Sequence, residues 1–374
     1  MKKYLGFILV IFVFGFTPSE QKTGKINCES SELATSQIQS RLITADNLNF
    51  QYIGRWDFSN PSLPRAWTPG AYIVAKFSGD YCKIAIDDEI QYGSDYNYLE
   101  IVIDSTQNLR LHTTGTSNIF DISDNLTEGE HTLLICKSTE ALMGYIGFRG
   151  LYLESDDALL TPDALPERKI ECIGNSITCG SGNDISEIPC NSGSWFDNHN
   201  AYLSYGPATA RALNAQWHLS SVSGIGLIHS CCDMTYTMPQ VYGKYNLQTS
   251  GNDWDFSRYI PDVVTICLGQ NDGVQDPATF CNAYISFIGE IRKHYPDAAI
   301  ILLNSPMAND ELNDALTAYT KSISTYLNDQ GDANLYSFEL SHNLNNGCTS
   351  HPDREEHKLV TRELIGFIKN TLNW

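Results

Sequence analysis

Lys169-Ile170-Glu171-Cys172-Ile173-Gly174-Asn175-Ser176-Ile177-Thr178 decides how the second half of the chain is read. Residues 169–173 have the apolar density of a short buried strand. A glycine that permits a sharp turn follows, and then a serine just past the strand end. Four further strand candidates lie at residues 216–222, 263–268, 299–303 and 335–340, with helical patterns between them. One helix is capped by Asp276 with Pro277 at its first position, and it sets Phe280, Tyr284, Phe287, Ile288 and Ile291 on one stripe. Another spans about residues 310–327. The last begins after Pro352 and carries Leu359, Ile365 and Ile368. Repeated strand–helix units predict an α/β domain of three layers, a parallel sheet with helices on both faces. In such sheets chemistry gathers at the carboxyl ends of the strands.

Before residue 155 the period is two instead. Leu99, Ile101 and Ile103 alternate with Tyr98, Glu100 and Val102; Cys82, Ile84 and Ile86 alternate with Lys83 and Ala85. Turn clusters such as Ser78-Gly79-Asp80 and Gly93-Ser94-Asp95 separate the strands. Many short strands with turns between them predict a β-sandwich of jelly-roll type. Residues 155–168 hold Asp156, Asp157, Pro162, Asp163 and Pro166 and read as a linker. At the start, Lys2 and Lys3 precede an apolar run over residues 4–16, too short for a span and suited to a signal peptide. The expected organisation is a signal peptide over 1–24, a sandwich over 25–154, a linker over 155–168 and an α/β domain over 169–374, in a secreted or periplasmic protein.

The net charge of the 374 residues is −20. Such a field repels phosphate backbones and anionic lipid headgroups, so neither nucleic acid nor a membrane is an expected partner. Eleven cysteines in an oxidising compartment imply some pairing and at least one left over. There is no Cys-x-x-Cys pair, so a zinc ribbon is not expected. Adjacent Cys231 and Cys232 read as a loop feature, and Cys179–Cys190 is the disulfide expected here.

Three strand ends and the approach to the last helix carry chemistry-bearing residues. Ser176 is placed for a nucleophile, with its own N–H available to a developing oxyanion. Gly224, in Ser223-Gly224-Ile225-Gly226, can turn an N–H toward a ligand. Asn271, in Gly269-Gln270-Asn271-Asp272, can donate a side-chain amide. His351, in Ser350-His351-Pro352, can act as a general base. Each alone is equally a turn, a cap or a structural histidine. The His351 and His357 pair has no third ligand close by, so no metal is expected.

Together, in the order Ser, Gly, Asn, His, they resemble the four blocks of the SGNH, or GDSL-type, hydrolase family. The likeness covers residues 169–374, with Asn175 where Asp is more usual. In the front half, Tyr52-Ile53-Gly54-Arg55-Trp56-Asp57, the strands at 72–77 and 82–87, the run from His131 to Lys137, and Phe148-Arg149-Gly150 resemble the jelly-roll domain of carbohydrate esterase family 2.

That resemblance implies a serine esterase that removes O-acetyl groups from xylan- or mannan-type polysaccharides or their oligosaccharides, without cofactor. Ser176 would attack and His351 would shuttle the proton, with an oxyanion hole of Ser176, Gly224 and Asn271. The chain departs from the family where an acid usually orients the histidine: Cys348, Thr349 and Ser350 stand there. A Ser–His dyad is therefore expected, its ring held by a backbone carbonyl near Cys348. The aromatic usual before the histidine is also absent, and Trp195, Trp254 and Tyr205 are the candidate replacements for a sugar platform. The alternatives are an esterase for another acylated glycan or a lipid, and a catalytically degenerate carbohydrate-binding protein.

Overall fold

The computed structural model describes residues 39–374; the expected signal peptide lies outside the described residues. Two six-stranded antiparallel sheets form the front half. In one, Ile146–Glu154 lies between Cys82–Asp88 and Arg65–Ala66, and also pairs with Ser40–Thr44. In the other, Glu130–Lys137 lies between Tyr72–Ser78 and Tyr98–Ile103. The facing sides of these strands interdigitate: Ile73, Ala75, Phe77, Ile84, Ile86, Leu99, Ile101, Leu133, Ile135 and Phe148 share one core. This is the alternation expected of a sandwich.

The alternation along Tyr98–Ile103 has a second consequence: both faces are buried. The outward set Tyr98, Glu100 and Val102 is covered by the second domain. Val102 packs in a cluster with Tyr72 and Trp217, and Asn200 Nδ2 donates to Glu100 Oε2 at 3.1 Å. The segment read as a linker is likewise engaged. Leu159–Leu160 adds an antiparallel strand to Tyr72–Ser78, and Gln216 Nε2 donates to Pro166 O at 2.7 Å.

The second half is a five-stranded parallel sheet in the order Ala215–Ser221, Arg168–Gly174, Val263–Cys267, Ala299–Leu303, Leu335–Phe338. Helices Pro277–His294 and Asp310–Asp329 pack on one face against Ile173, Ile266 and Leu302. Helices Tyr205–Ala212 and Arg354–Leu372 cover the other, against Ile170, Cys172 and Ile301. The Asp276 side chain accepts the Thr279 N–H, and all five residues of the predicted stripe are buried. In the last helix the inward stripe is Val360, Leu364 and Ile368, with Leu359 and Ile365 half-buried beside it. Each such large apolar side chain contributes roughly 1.5–3 kcal/mol through burial.

The chain leaves the first strand for one neighbour and returns on its other side for the next. Arg168–Gly174 is therefore the switch point of the sheet, the place where open α/β sheets collect their chemistry.

Candidate active site

Ser176 starts a one-turn helix directly after that strand. Asn175 caps the turn, its Oδ1 accepting the Ile177 N–H at 3.1 Å. Gly174 is required by close approach, since a Cβ there would lie 2.0 Å from Thr178 Oγ1. Thr178 in turn shares a hydrogen bond with buried Tyr205 OH at 2.8 Å. The turn is thus rigid, and Ser176 remains 7% exposed at its tip.

His351 comes from a loop 175 residues later, and its Nε2 lies 2.8 Å from Ser176 Oγ. On the other side of the ring, Nδ1 lies 3.1 Å from Thr349 O and 3.0 Å from Thr349 Oγ1. In the tautomer that donates Nδ1–H to this carbonyl, Nε2 is left to accept the Ser176 proton. Burial holds the imidazole below its ordinary pKa, opposed by the Thr349 and Cys348 carbonyls. Among the described residues no carboxylate hydrogen-bonds to this ring.

Several devices replace such a carboxylate. Cys348 N donates to Gly182 O at 2.9 Å, which pins the histidine loop on the loop that follows Ser176, and Gly347 N donates to His351 O at 2.7 Å, which closes the histidine loop on itself. Glu356, in the first turn of the last helix, accepts the Asn345 and Asn346 amides. A disulfide joins Cys348 to Cys190. Within this frame Thr349 and Ser350 adopt φ of +53° and +59°. For side chains other than glycine, that conformation persists only where the surroundings impose it.

The disulfide corrects the expected Cys179–Cys190 pair. Cys179 is free and buried, with its Sγ 3.3 Å from Ser221 Oγ, so it faces the core and not the insert. Cys231 and Cys232 are bonded to each other.

The three amide donors lie beyond neighbouring strand ends. Gly174 is in register with both Ser221 and Cys267, and Ser176, Gly224 and Asn271 follow these by two, three and four residues. The Ser176 and Gly224 N–H groups have no acceptor among the described residues. Gly224 has φ of +82°, which glycine adopts without penalty. Asn271 Nδ2 donates to Ile225 O at 2.8 Å, which leaves its second N–H for a ligand. Asp272 accepts the amides of Leu227, Ile228 and His229, so it anchors the loop after Gly224.

Of the three aromatic candidates, Tyr205 and Trp254 are buried in the core and offer no platform. Trp195 is 49% exposed, on the insert that the Cys190 disulfide fastens to the histidine loop. Its ring meets His199 edge-on at 4.6 Å. Burial, then the charge of His351, holds the His199 ring down to about 3. Arg110 from the sandwich braces the insert through Asp184 and the carbonyls of Asp197 and His199. His357 is buried, with Nδ1 accepting the Tyr205 N–H at 3.2 Å, a structural role. Among the described residues no cluster of three metal-ligating side chains occurs.

Comparison with known proteins agrees with both halves. Residues 52–162 match the model described as carbohydrate esterase 2 N-terminal, and residues 172–345 match the GDSL-like lipase/acylhydrolase family. Over 342 residues the chain is 34% identical to the cellulase/esterase CelE of Acetivibrio thermocellus, covering 88% of this chain but only 40% of that protein's length. It is 26% identical to an acetylxylan esterase/glucomannan deacetylase of Cellvibrio japonicus, covering 93% of this chain and 95% of that one. A solved family two carbohydrate esterase from Clostridium thermocellum, in complex with cellohexaose, superposes with a TM-score of 0.80 at 32% identity, covering 87% of this chain and 99% of that one. The sandwich, the GDSL-type domain behind it and this likeness along the described chain lead to one conclusion: the protein belongs to carbohydrate esterase family 2, a family of carboxylic ester hydrolases.

Proposed function

We propose that the protein is a secreted serine esterase that removes O-acetyl groups from plant cell-wall polysaccharides of xylan or mannan type, or their oligosaccharides, through a Ser176–His351 dyad. The observation that carries this is the 2.8 Å contact between Ser176 Oγ and His351 Nε2 at the carboxyl end of the switch-point strand. Ser176 Oγ attacks the acetyl carbonyl carbon while His351 Nε2 takes its proton. The carbonyl π electrons move to oxygen, and that oxyanion is held by the N–H groups of Ser176 and Gly224 and by the Asn271 amide. Collapse breaks the ester C–O bond, and His351 returns its proton to the departing sugar hydroxyl. Water, deprotonated by His351, then attacks the acetyl-enzyme, and acetate leaves as Ser176 regains its proton.

The names of two relatives, each an acetylxylan esterase/glucomannan deacetylase, support a plant polysaccharide as substrate. Among the described residues no helix is long and apolar enough to cross a membrane. Acetate release from acetylated xylan, acetylated glucomannan, an acetylated bacterial glycan and a triglyceride tests the reading. Release from the first two that vanishes in Ser176→Ala supports it; release only from the others, or none at all, refutes it.

A further inference from the structure

The turn that carries Gly224 is not built by the α/β domain alone. Glu140 follows the last residues of the sandwich strand Glu130–Lys137 and is fully buried. Its Oε2 accepts the Ser223 N–H at 3.0 Å, the amide immediately before Gly224, while Oε1 has no partner among the described residues. Ser223 is gripped from the other side by Ser181, their hydroxyl oxygens 2.8 Å apart. Glu140 is itself fixed: Lys137 Nζ donates to Thr139 O at 2.8 Å and to Glu140 O at 2.9 Å. The one-turn helix Ala141–Met143 then sends Ala141 into the α/β core beside Val222 and Ile225. A segment of the sandwich is therefore one wall of the Gly224 loop.

We propose that Glu140, supplied by the sandwich domain, is a positioning residue for ester hydrolysis: it sets the Ser223–Gly224 peptide so that the Gly224 N–H points at the oxyanion formed on Ser176 attack. The inference rests on the esterase reading above. A left-handed glycine turn has no regular partners of its own, so its amide direction is only as fixed as its neighbours. Burial pushes the Glu140 carboxyl up to about 7, opposed by the Ser223 N–H and Lys137. A neutral side chain of the same shape therefore suits the pocket.

Two substitutions in the full chain separate placement from simple filling. Glu140→Gln keeps an acceptor at the same reach; Glu140→Asp withdraws it by one methylene. With 4-nitrophenyl acetate, Glu140→Asp lowers kcat by about 10²-fold, the effect of a displacement near 1 Å, with KM unchanged, and Glu140→Gln retains wild-type kcat. Ser223→Ala, which releases the second grip and keeps the amide that Glu140 accepts, lowers kcat several-fold by the same pattern. Hydrogen exchange over residues 222–226 speeds up in Glu140→Asp and not in Glu140→Gln. Wild-type kcat and exchange in Glu140→Asp, or equal impairment of both Glu140 variants, overturns the proposal. If the wild type hydrolyses no acetyl ester, the esterase reading fails by itself, and the exchange data still decide whether Glu140 anchors the turn.

Discussion

In the proposed reaction His351 is the base, and Thr349 faces the far side of its ring. Its Nδ1 faces the Thr349 carbonyl and hydroxyl at nearly equal distances. If the carbonyl is the orienting group, Thr349→Ala costs only one hydrogen bond of about 0.5–1.5 kcal/mol, a loss of roughly tenfold or less in kcat/KM. A thousandfold loss would show that the hydroxyl holds the ring. The pH profile follows from the same site. Burial lowers the imidazole pKa below its ordinary 6.5, and the base works only when unprotonated. Activity is therefore full at neutral pH and falls as pH drops through an inflection below 6.5. An inflection above that value contradicts the described environment. The pairing of Ser176 with His351 was legible in the sequence because a serine just past a strand and a histidine beside a proline ahead of a helix have local signatures. The positive φ of Thr349 and Ser350 had none, since neither residue type favours that conformation.

Among the elements, the histidine loop shows how a missing acid is replaced. Cys348 occupies a position where an acid commonly stands, and it is bonded to Cys190 across 158 residues. Peptide mapping without reduction recovers Cys190 with Cys348, and Cys179 reacts with alkylating reagent only after unfolding. Cys348→Ser lowers stability by about 2–5 kcal/mol, read from urea melts. It also lowers kcat, because the loop that aims His351 loses its tie to the insert; unchanged kcat would show that the hydrogen bonds to Gly182 and Glu356 suffice. Proximity along the chain favoured Cys179 as the partner, and only the fold reveals that Cys179 lies under the sheet edge against Ser221. By contrast, the parallel strands and the helices at Pro277–His294 and Asp310–Asp329 were legible nearly to the residue, while Tyr205–Ala212 was not picked out. Their periodicity and caps, such as Asp276 before Pro277, are local facts that tertiary contacts reinforce.

The whole molecule behaves as two folds welded over one sheet face. Tyr72 stacks on Trp217 with ring centroids 4.0 Å apart. Arg55 of the sandwich is fully buried against Glu171 of the first parallel strand at 3.5 Å. Removing one member of such a pair leaves an unpaired buried charge, so Arg55→Ala destabilises the protein by about 3–5 kcal/mol in denaturant melts. A loss below 1 kcal/mol would mean that the two domains are energetically independent. Sequence patterning told an antiparallel front half from a parallel back half but could not show this seam: nothing local marks Glu100 or Glu171 as paired, and their partners Asn200 and Arg55 lie about a hundred residues away. The same blindness hid Glu140 and Arg110, sandwich residues that reach into the α/β domain.

In the proposed reaction Ser176 carries the acyl group. Rapid acid quench of the enzyme during turnover of 4-nitrophenyl acetate, followed by peptide mass spectrometry, tests it most directly. The expected result is one acetyl group on the peptide containing Ser176, none in Ser176→Ala, and almost none in His351→Ala. Acetylation at another residue, or turnover by Ser176→Ala at the wild-type rate, would contradict it.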